Sequence, residues 1–275
     1  MQSLSSQYPV WFSDIWGVVH NGVAHFQDAA HALTQHRKAG GIVILVTNAP
    51  RPFTDVAEQL SEIGVPKDCY DSIVTSGDVT RKLMVDYGGG KVFHIGTPRE
   101  LTIFAGLDVE RVEKKHARAI LCTGLVHDIV ETPDDYVDLL AELRDLGLPM
   151  ICANPDKIVR KGNRLLYCAG ALAEIYARMG GEIFMAGKPY PPIYELALLQ
   201  ASEIVGRPLS KKDVLAIGDG PETDIRGAAD FDLDVVLIAD GVTDASAGLA
   251  ATQARVRAQI PAANIVKTQK HLAWD

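Results

Sequence analysis

The sequence predicts an α/β protein built on a parallel sheet, with a second α/β unit inserted into the first. Three observations carry this. Short β-branched runs of strand length alternate with helical stretches along nearly the whole chain, the rhythm of parallel strands joined by crossover helices. Runs of this kind end in polar residues at Asp14, Thr47, Ser76, Asp219 and Asp240. A parallel sheet gathers such ends at one edge, where open α/β sheets bind their ligands. Finally, Gly88-Gly89-Gly90 is the most flexible triplet in the chain and reads as the hinge into a second unit. The expected division is a core from residues 1–77 and 187–275, with the inserted unit at 78–186.

Each element has its own local reason. Val10 to Phe12 is a short apolar run ending at Asp14, and Gly17 permits a tight turn after it. Asp28 caps a helix through Ala39, which Gly40 stops. Ile42 to Val46 is β-branched and strand-like, Val56 to Ile63 is a helix closed by Gly64, and Ile73 to Thr75 is a short strand. A helix from Val79 to Tyr87 leads to the glycine triplet. The second unit alternates again: strand Val92 to Ile95, helix Arg99 to Phe104, strand Ala119 to Cys122. Helix Pro133 to Leu146, strand Met150 to Ala153, helix Gly170 to Met179 and strand Ile183 to Met185 complete it, with Pro133 and Gly147 in their usual start and stop places. A long helix from Pro192 to Val205, a strand from Val214 to Ile217, a short helix from Thr223 to Ala229 and a strand from Val235 to Ile238 follow. The Ala-rich remainder, 245–275, is expected to be mostly helical.

Composition narrows the function. Of 275 residues, 47% are hydrophobic and 23% charged, the balance of a globular chain with a sizeable core. A net charge of −8 without a basic patch argues against a general nucleic-acid role. Cys69, Cys122, Cys152 and Cys168 lack any C-x-x-C spacing, so buried reduced thiols are expected rather than a zinc knuckle or disulfide frame. His25, His94, His116 and His127 have no metal-ligand spacing either. No apolar run approaches the about 20 residues that span a bilayer, and residues 1–9 lack the basic start and apolar core of a signal peptide. A cytoplasmic protein without membrane partners is expected.

Four separated pieces, in order, resemble the haloacid dehalogenase (HAD) superfamily of phosphotransferases: Asp14-Ile15-Trp16-Gly17-Val18, Thr47-Asn48, Gly187-Lys188-Pro189, and Gly218-Asp219-Gly220-Pro221-Glu222-Thr223-Asp224. Ala153-Asn154-Pro155-Asp156 and Ala169-Gly170-Ala171-Leu172 are similar to the cap of the class IIA branch, that of N-acetylglucosamine-phosphate and 4-nitrophenyl-phosphate phosphatases. The resemblance implies a Rossmann-like core with an inserted α/β cap of class C2, and a Mg²⁺-dependent phosphatase of small phosphorylated metabolites such as sugar phosphates.

It also implies roles. Asp14 is the nucleophile that becomes an aspartyl-phosphate. Asp219 and Asp224, with Asp14 and the backbone carbonyl of Trp16, hold Mg²⁺, a cation that prefers hard oxygen ligands. Thr47 and the amide of Asn48 bind the transferring phosphoryl group, and Lys188 adds fixed positive charge. Taken singly, each has a plain alternative: Lys188 a solvated helix-start charge, Asp219 and Thr47 turn residues, Asn48 an Asx turn. Arg51 is a candidate substrate contact, with exposed polarity as its alternative. Asn154 is expected to act structurally, and Asp156 is open.

Trp16 departs from the family, whose phosphatases usually carry a second Asp there as general acid and base. An indole N–H neither ionises nor accepts a proton near neutral pH. His20, six residues after Asp14, is a candidate substitute by its intrinsic pKa. The alternative is a weak or inactive homologue that binds phosphometabolites without turning them over. A cap-mediated homodimer is also consistent with the class.

Overall fold

A computed structural model describes residues 1–161, 164–241 and 248–275, with the side chains of residues 160 and 161 outside the description. The strands in chain order are β1 (Val10–Ser13), β2 (Ile42–Thr47), β3 (Ser72–Thr75), β4 (Lys91–Ile95), β5 (Glu110–Arg111), β6 (Ala119–Cys122), β7 (Met150–Cys152), β8 (Ile158–Lys161), β9 (Arg164–Tyr167), β10 (Ile183–Met185), β11 (Val214–Gly218), β12 (Asp234–Ile238) and β13 (Asn264–Gln269). The chain forms two compact units, one of Met1–Thr47, Thr54–Val74 and Lys188–Asp275, the other of Asn48–Phe53 and Thr75–Gly187.

The first unit carries a six-stranded sheet in the order β13-β12-β11-β1-β2-β3. Pairing of β1 with both β2 and β11, of β11 with β12, and of β12 with β13 is parallel. Strands buried on both faces read as continuous apolar runs, which is why Val10–Ser13 and Val214–Gly218 are buried throughout. From β1 the chain winds outward to β2 and β3, then returns on the other side of β1 at β11. That reversal makes the carboxyl ends of β1 and β11 a topological switch point, the usual ligand position in such sheets.

The second unit has its own parallel sheet, β10-β7-β6-β4-β5, and an antiparallel hairpin of β8 and β9. Alternation along β6 splits its side chains between two cores. Ile120 and Cys122 join Leu140, Leu143 and Tyr176 on one face, while Ala119 and Leu121 join Met84, Val92 and Ile103 on the other. All four cysteines are buried free thiols.

Several elements differ from the sequence expectation. The stretch 245–275 is not mostly helical: Leu249–Gln259 is a helix, but Asn264–Gln269 adds β13 at the sheet edge, with residues 245–247 outside the described ones. Pro98–Phe104 is a 3₁₀ turn rather than an α-helix, and Pro221–Ile225 winds as a π-turn before the helix Arg226–Asp230. Helix Gln2–Gln7, strand β5 and the β8–β9 hairpin were not expected.

Behind the sheet, Trp11 of β1 stacks on His36 with ring centroids 3.9 Å apart and planes 2° from parallel. A Cβ on Gly41 would fall 2.2 Å from that imidazole, so the ring lies directly on bare backbone. Ser5 Oγ meets His36 Nδ1 at 2.7 Å. Burial lowers the His36 pKa to about 4, so folding holds the ring neutral. An unfolded chain then binds the extra proton between pH 6.5 and 4, and native stability falls as pH drops through that window. His36→Phe keeps the stack and removes the titration. Urea unfolding should show a pH 7 to pH 4 stability loss smaller than in the wild type by about 3 kcal/mol.

Candidate active site

The carboxyl end of β1 sets the first group. Asp14 N donates to Ile217 O at 2.8 Å, prolonging the parallel ladder one residue past the strand and fixing where its carboxylate emerges. The chain then turns on itself: Val19 N reaches Ile15 O at 2.8 Å and Gly17 N reaches His20 O at 2.8 Å. Gly17 sits at φ +85°, a conformation that a side chain would strain.

Asp219 leaves the end of β11, and Asp224 lies in the π-turn that follows. One carboxylate oxygen from each of Asp14, Asp219 and Asp224 lies within 4.8 Å of the others. All three are buried. Gly218 makes room for Asp224, since a Cβ there would stand 2.2 Å from that residue's own Cβ. Asp224 Oδ2 accepts from Gly220 N at 3.0 Å, leaving Oδ1 for Lys188.

Lys188, itself buried, donates from Nζ to Asp14 Oδ1 at 2.5 Å, to Asp224 Oδ1 at 2.7 Å and to Val46 O at 3.1 Å. Burial works to lower the lysine pKa, but Asp14 and Asp224 outweigh it and raise it, so the ammonium is charged. Burial and the Asp224 carboxylate push the Asp14 carboxyl well above its usual range, Lys188 opposes them, and Asp219 adds to the rise. Three clustered carboxyl groups present hard oxygen atoms, a donor set that fits a divalent cation such as Mg²⁺.

Trp16 lies within its own loop. Its indole meets the His20 ring edge-on, centroids 5.3 Å apart, and a Cβ on Gly22 would stand 2.3 Å from the ring. Trp16 is 39% exposed, whereas His20 is 3% exposed. His20 Nδ1 accepts from Gly22 N at 2.9 Å, and burial lowers its pKa to about 4. The neutral ring therefore carries its proton on Nε2, and the lone pair that a base would offer is engaged by the loop itself.

The remaining candidates divide between the units. Thr47, buried at the end of β2, belongs to the first, next to the Val46 carbonyl that holds Lys188. Asn48 and Arg51 belong to the second. Asn48 Nδ2 donates to Asp156 Oδ1 at 3.0 Å, and the Arg51 carbonyl accepts from Thr75 Oγ1 at 2.7 Å. Asn154 Oδ1 accepts from Asp156 N at 3.0 Å, so it shapes the turn that presents Asp156 to Asn48. Of the five polar strand ends, Ser76 groups with the second unit and Asp240 pairs with His271 at 3.3 Å. Sequence reasoning missed the Asp156–Asn48 link and the Val46 carbonyl. It also missed Gly241, which lies against Asp219 and whose only signal was its place after a strand-end Asp.

Comparison with known proteins shows the family and the fold. The family profile described as haloacid dehalogenase-like hydrolase matches residues 11–110, and the HAD-hydrolase-like profile matches 185–265. A haloacid dehalogenase-like hydrolase of known structure from Brucella suis 1330 is 47% identical, with a TM-score of 0.89 over 99% of this chain and 98% of that one. The 4-nitrophenylphosphatase of Thermotoga maritima shares the fold at 20% identity, with a TM-score of 0.76 over 98% of this chain and 96% of its own. An acid sugar phosphatase of Staphylococcus aureus (strain USA300) is 26% identical over 243 residues, 86% of this chain and 88% of that protein. With its parallel-sheet core, inserted α/β unit and clustered strand-end carboxylates, the chain belongs to the haloacid dehalogenase-like hydrolases.

Proposed function

We propose that this hydrolase is a Mg²⁺-dependent phosphatase of small phosphorylated metabolites such as sugar phosphates, acting through an aspartyl-phosphate on Asp14. The observation that carries the reading is the Asp14 carboxylate, fixed by Lys188 beside Asp219 and Asp224. The names of relatives, an acid sugar phosphatase and a 4-nitrophenylphosphatase, support the substrate class.

When bound, the cation supplies charge that offsets repulsion between an anionic nucleophile and an anionic phosphate. The rest falls to the chain's own groups. One Asp14 oxygen attacks phosphorus, the bond from phosphorus to the leaving oxygen breaks, and that oxygen takes a proton. Water then adds to phosphorus, the bond to Asp14 breaks, and inorganic phosphate leaves. Lys188 keeps Asp14 oriented and partly neutralised through both steps, while Thr47 and the Asn48 amide serve the phosphoryl oxygens and Arg51 the substrate.

Proton transfer is the deficit. A positioned acid or base contributes about 10²–10⁴-fold in rate. Trp16 supplies none, and the His20 lone pair is held by Gly22. Aryl and acyl phosphates, whose leaving groups need little protonation, should therefore turn over best, and the phospho-enzyme should be long-lived. The same observation favours a second reading, a homologue that binds phosphometabolites with little or no turnover.

Two experiments test these readings. With Mg²⁺, wild type should hydrolyse 4-nitrophenyl phosphate, and both Asp14→Asn and removal of the cation by a chelator should abolish the activity. Equal rates for Asp14→Asn and wild type would remove Asp14 as nucleophile. Trp16→Asp should raise turnover of alkyl phosphates by about 10²-fold or more, with a smaller gain on 4-nitrophenyl phosphate. If wild type binds sugar phosphates without turnover and Trp16→Asp begins to hydrolyse them, the binding reading holds for the natural chain.

A further inference from the structure

The Asp219 carboxylate lies between two pieces of bare backbone. A Cβ on Gly241 would stand 1.6 Å from Asp219 Oδ2, 2.4 Å from its Cγ and 2.5 Å from its Cβ. On the other side, a Cβ on Gly17 would stand 2.2 Å from the same Oδ2. The sheet order explains the arrangement. Asp219 follows β11, whose neighbours are β1 and β12, and the two glycines sit in the loops that leave those flanking strands. The carboxylate thus occupies a slot whose walls exist only because both neighbours lack side chains.

We infer that Gly241 is a positioning residue for Asp219, holding the carboxylate in the direction that a divalent cation requires. The inference rests on the metal-site reading above. Gly17 and Gly241 are not equivalent probes. Gly17 has φ +85°, so any side chain there is strained whatever the space. Gly241 lies outside the left-handed region, and the three atoms nearest its added Cβ all belong to Asp219. An alanine at 241 therefore acts mainly through that carboxylate. The oxygen must turn away, and the set of three carboxylates loses its common centre. Groups that orient a metal ligand typically govern about 10–100-fold in metal affinity.

The test uses the full chain and two readouts that do not involve turnover. Mg²⁺ titration by calorimetry should show Gly241→Ala binding at least about tenfold more weakly than wild type. Thermal melts in chelator should show Gly241→Ala melting below wild type, with a clearly smaller drop when the same change is made in an Asp219→Ala background. A Gly241→Ala chain that does not fold but is recovered by Asp219→Ala supports the slot equally. Equal drops in both backgrounds, failure of that recovery, or wild-type Mg²⁺ affinity in folded Gly241→Ala would overturn the inference. Asp219→Asn separates the two claims. If it binds Mg²⁺ as wild type does while the melts remain coupled, the slot stands and the assignment of Asp219 as a cation ligand falls.

Discussion

One ammonium group makes the centre of this protein possible. Asp14 and Asp224 are both buried, and two carboxylates in such a place repel each other. Lys188 Nζ bonds both, and its third proton goes to the Val46 carbonyl. A lysine has three donors and no acceptor, so one ammonium can serve all three of these oxygens. Loss of one member of such a group leaves an unmatched buried charge, a change that typically costs about 3–5 kcal/mol. The interaction joins three chain segments far apart in sequence, 174 residues separating Asp14 from Lys188 and 36 separating Lys188 from Asp224.

The sheet supplies the precision that the charges need. Asp14 emerges one residue beyond β1 and Asp219 one residue beyond β11, and these strands are parallel neighbours. Their carboxylates therefore approach from the same edge, with Ser13 opposite Ile217 in register. Glycines do the rest, because the carboxylates lie where ordinary side chains would stand. The loop after β1 is different in kind. Trp16, His20 and Gly22 pack on one another, so the residues that break the family pattern form a self-supporting turn rather than a second catalytic pair.

Much of this was legible in the sequence because the chemistry is local there. A carboxylate closing an apolar run is visible without knowledge of the fold, and the order of Asp14, Thr47, Lys188, Asp219 and Asp224 was readable as a set. What failed to show depended on distant partners or weak patterns. Asn48 directly follows β2 yet packs with the second unit, because its partner is Asp156, 108 residues away. The burial of His20, which changes its chemistry, has no local sign in a glycine-flanked stretch. Strand β13 follows an Ala-rich helix, and its pattern is blurred by an exposed Val266 and a buried Gln269. The β8–β9 hairpin did carry a signal, two short runs separated by two residues, that a period-2 reading would have caught.

The grouping of Asn48–Phe53 with Thr75–Gly187 has a consequence for anyone recombining these proteins. The inserted unit is not one contiguous cassette. A hexapeptide encoded upstream, between β2 and the following helix, belongs to it, and Thr75 Oγ1 and Asp156 Oδ1 bond that hexapeptide. A chimera that swaps only the long insertion would import a foreign Asp156 opposite a native Asn48. Lineages exchanging the inserted unit by recombination would therefore have to inherit two crossover points together, or repair the mismatch afterwards.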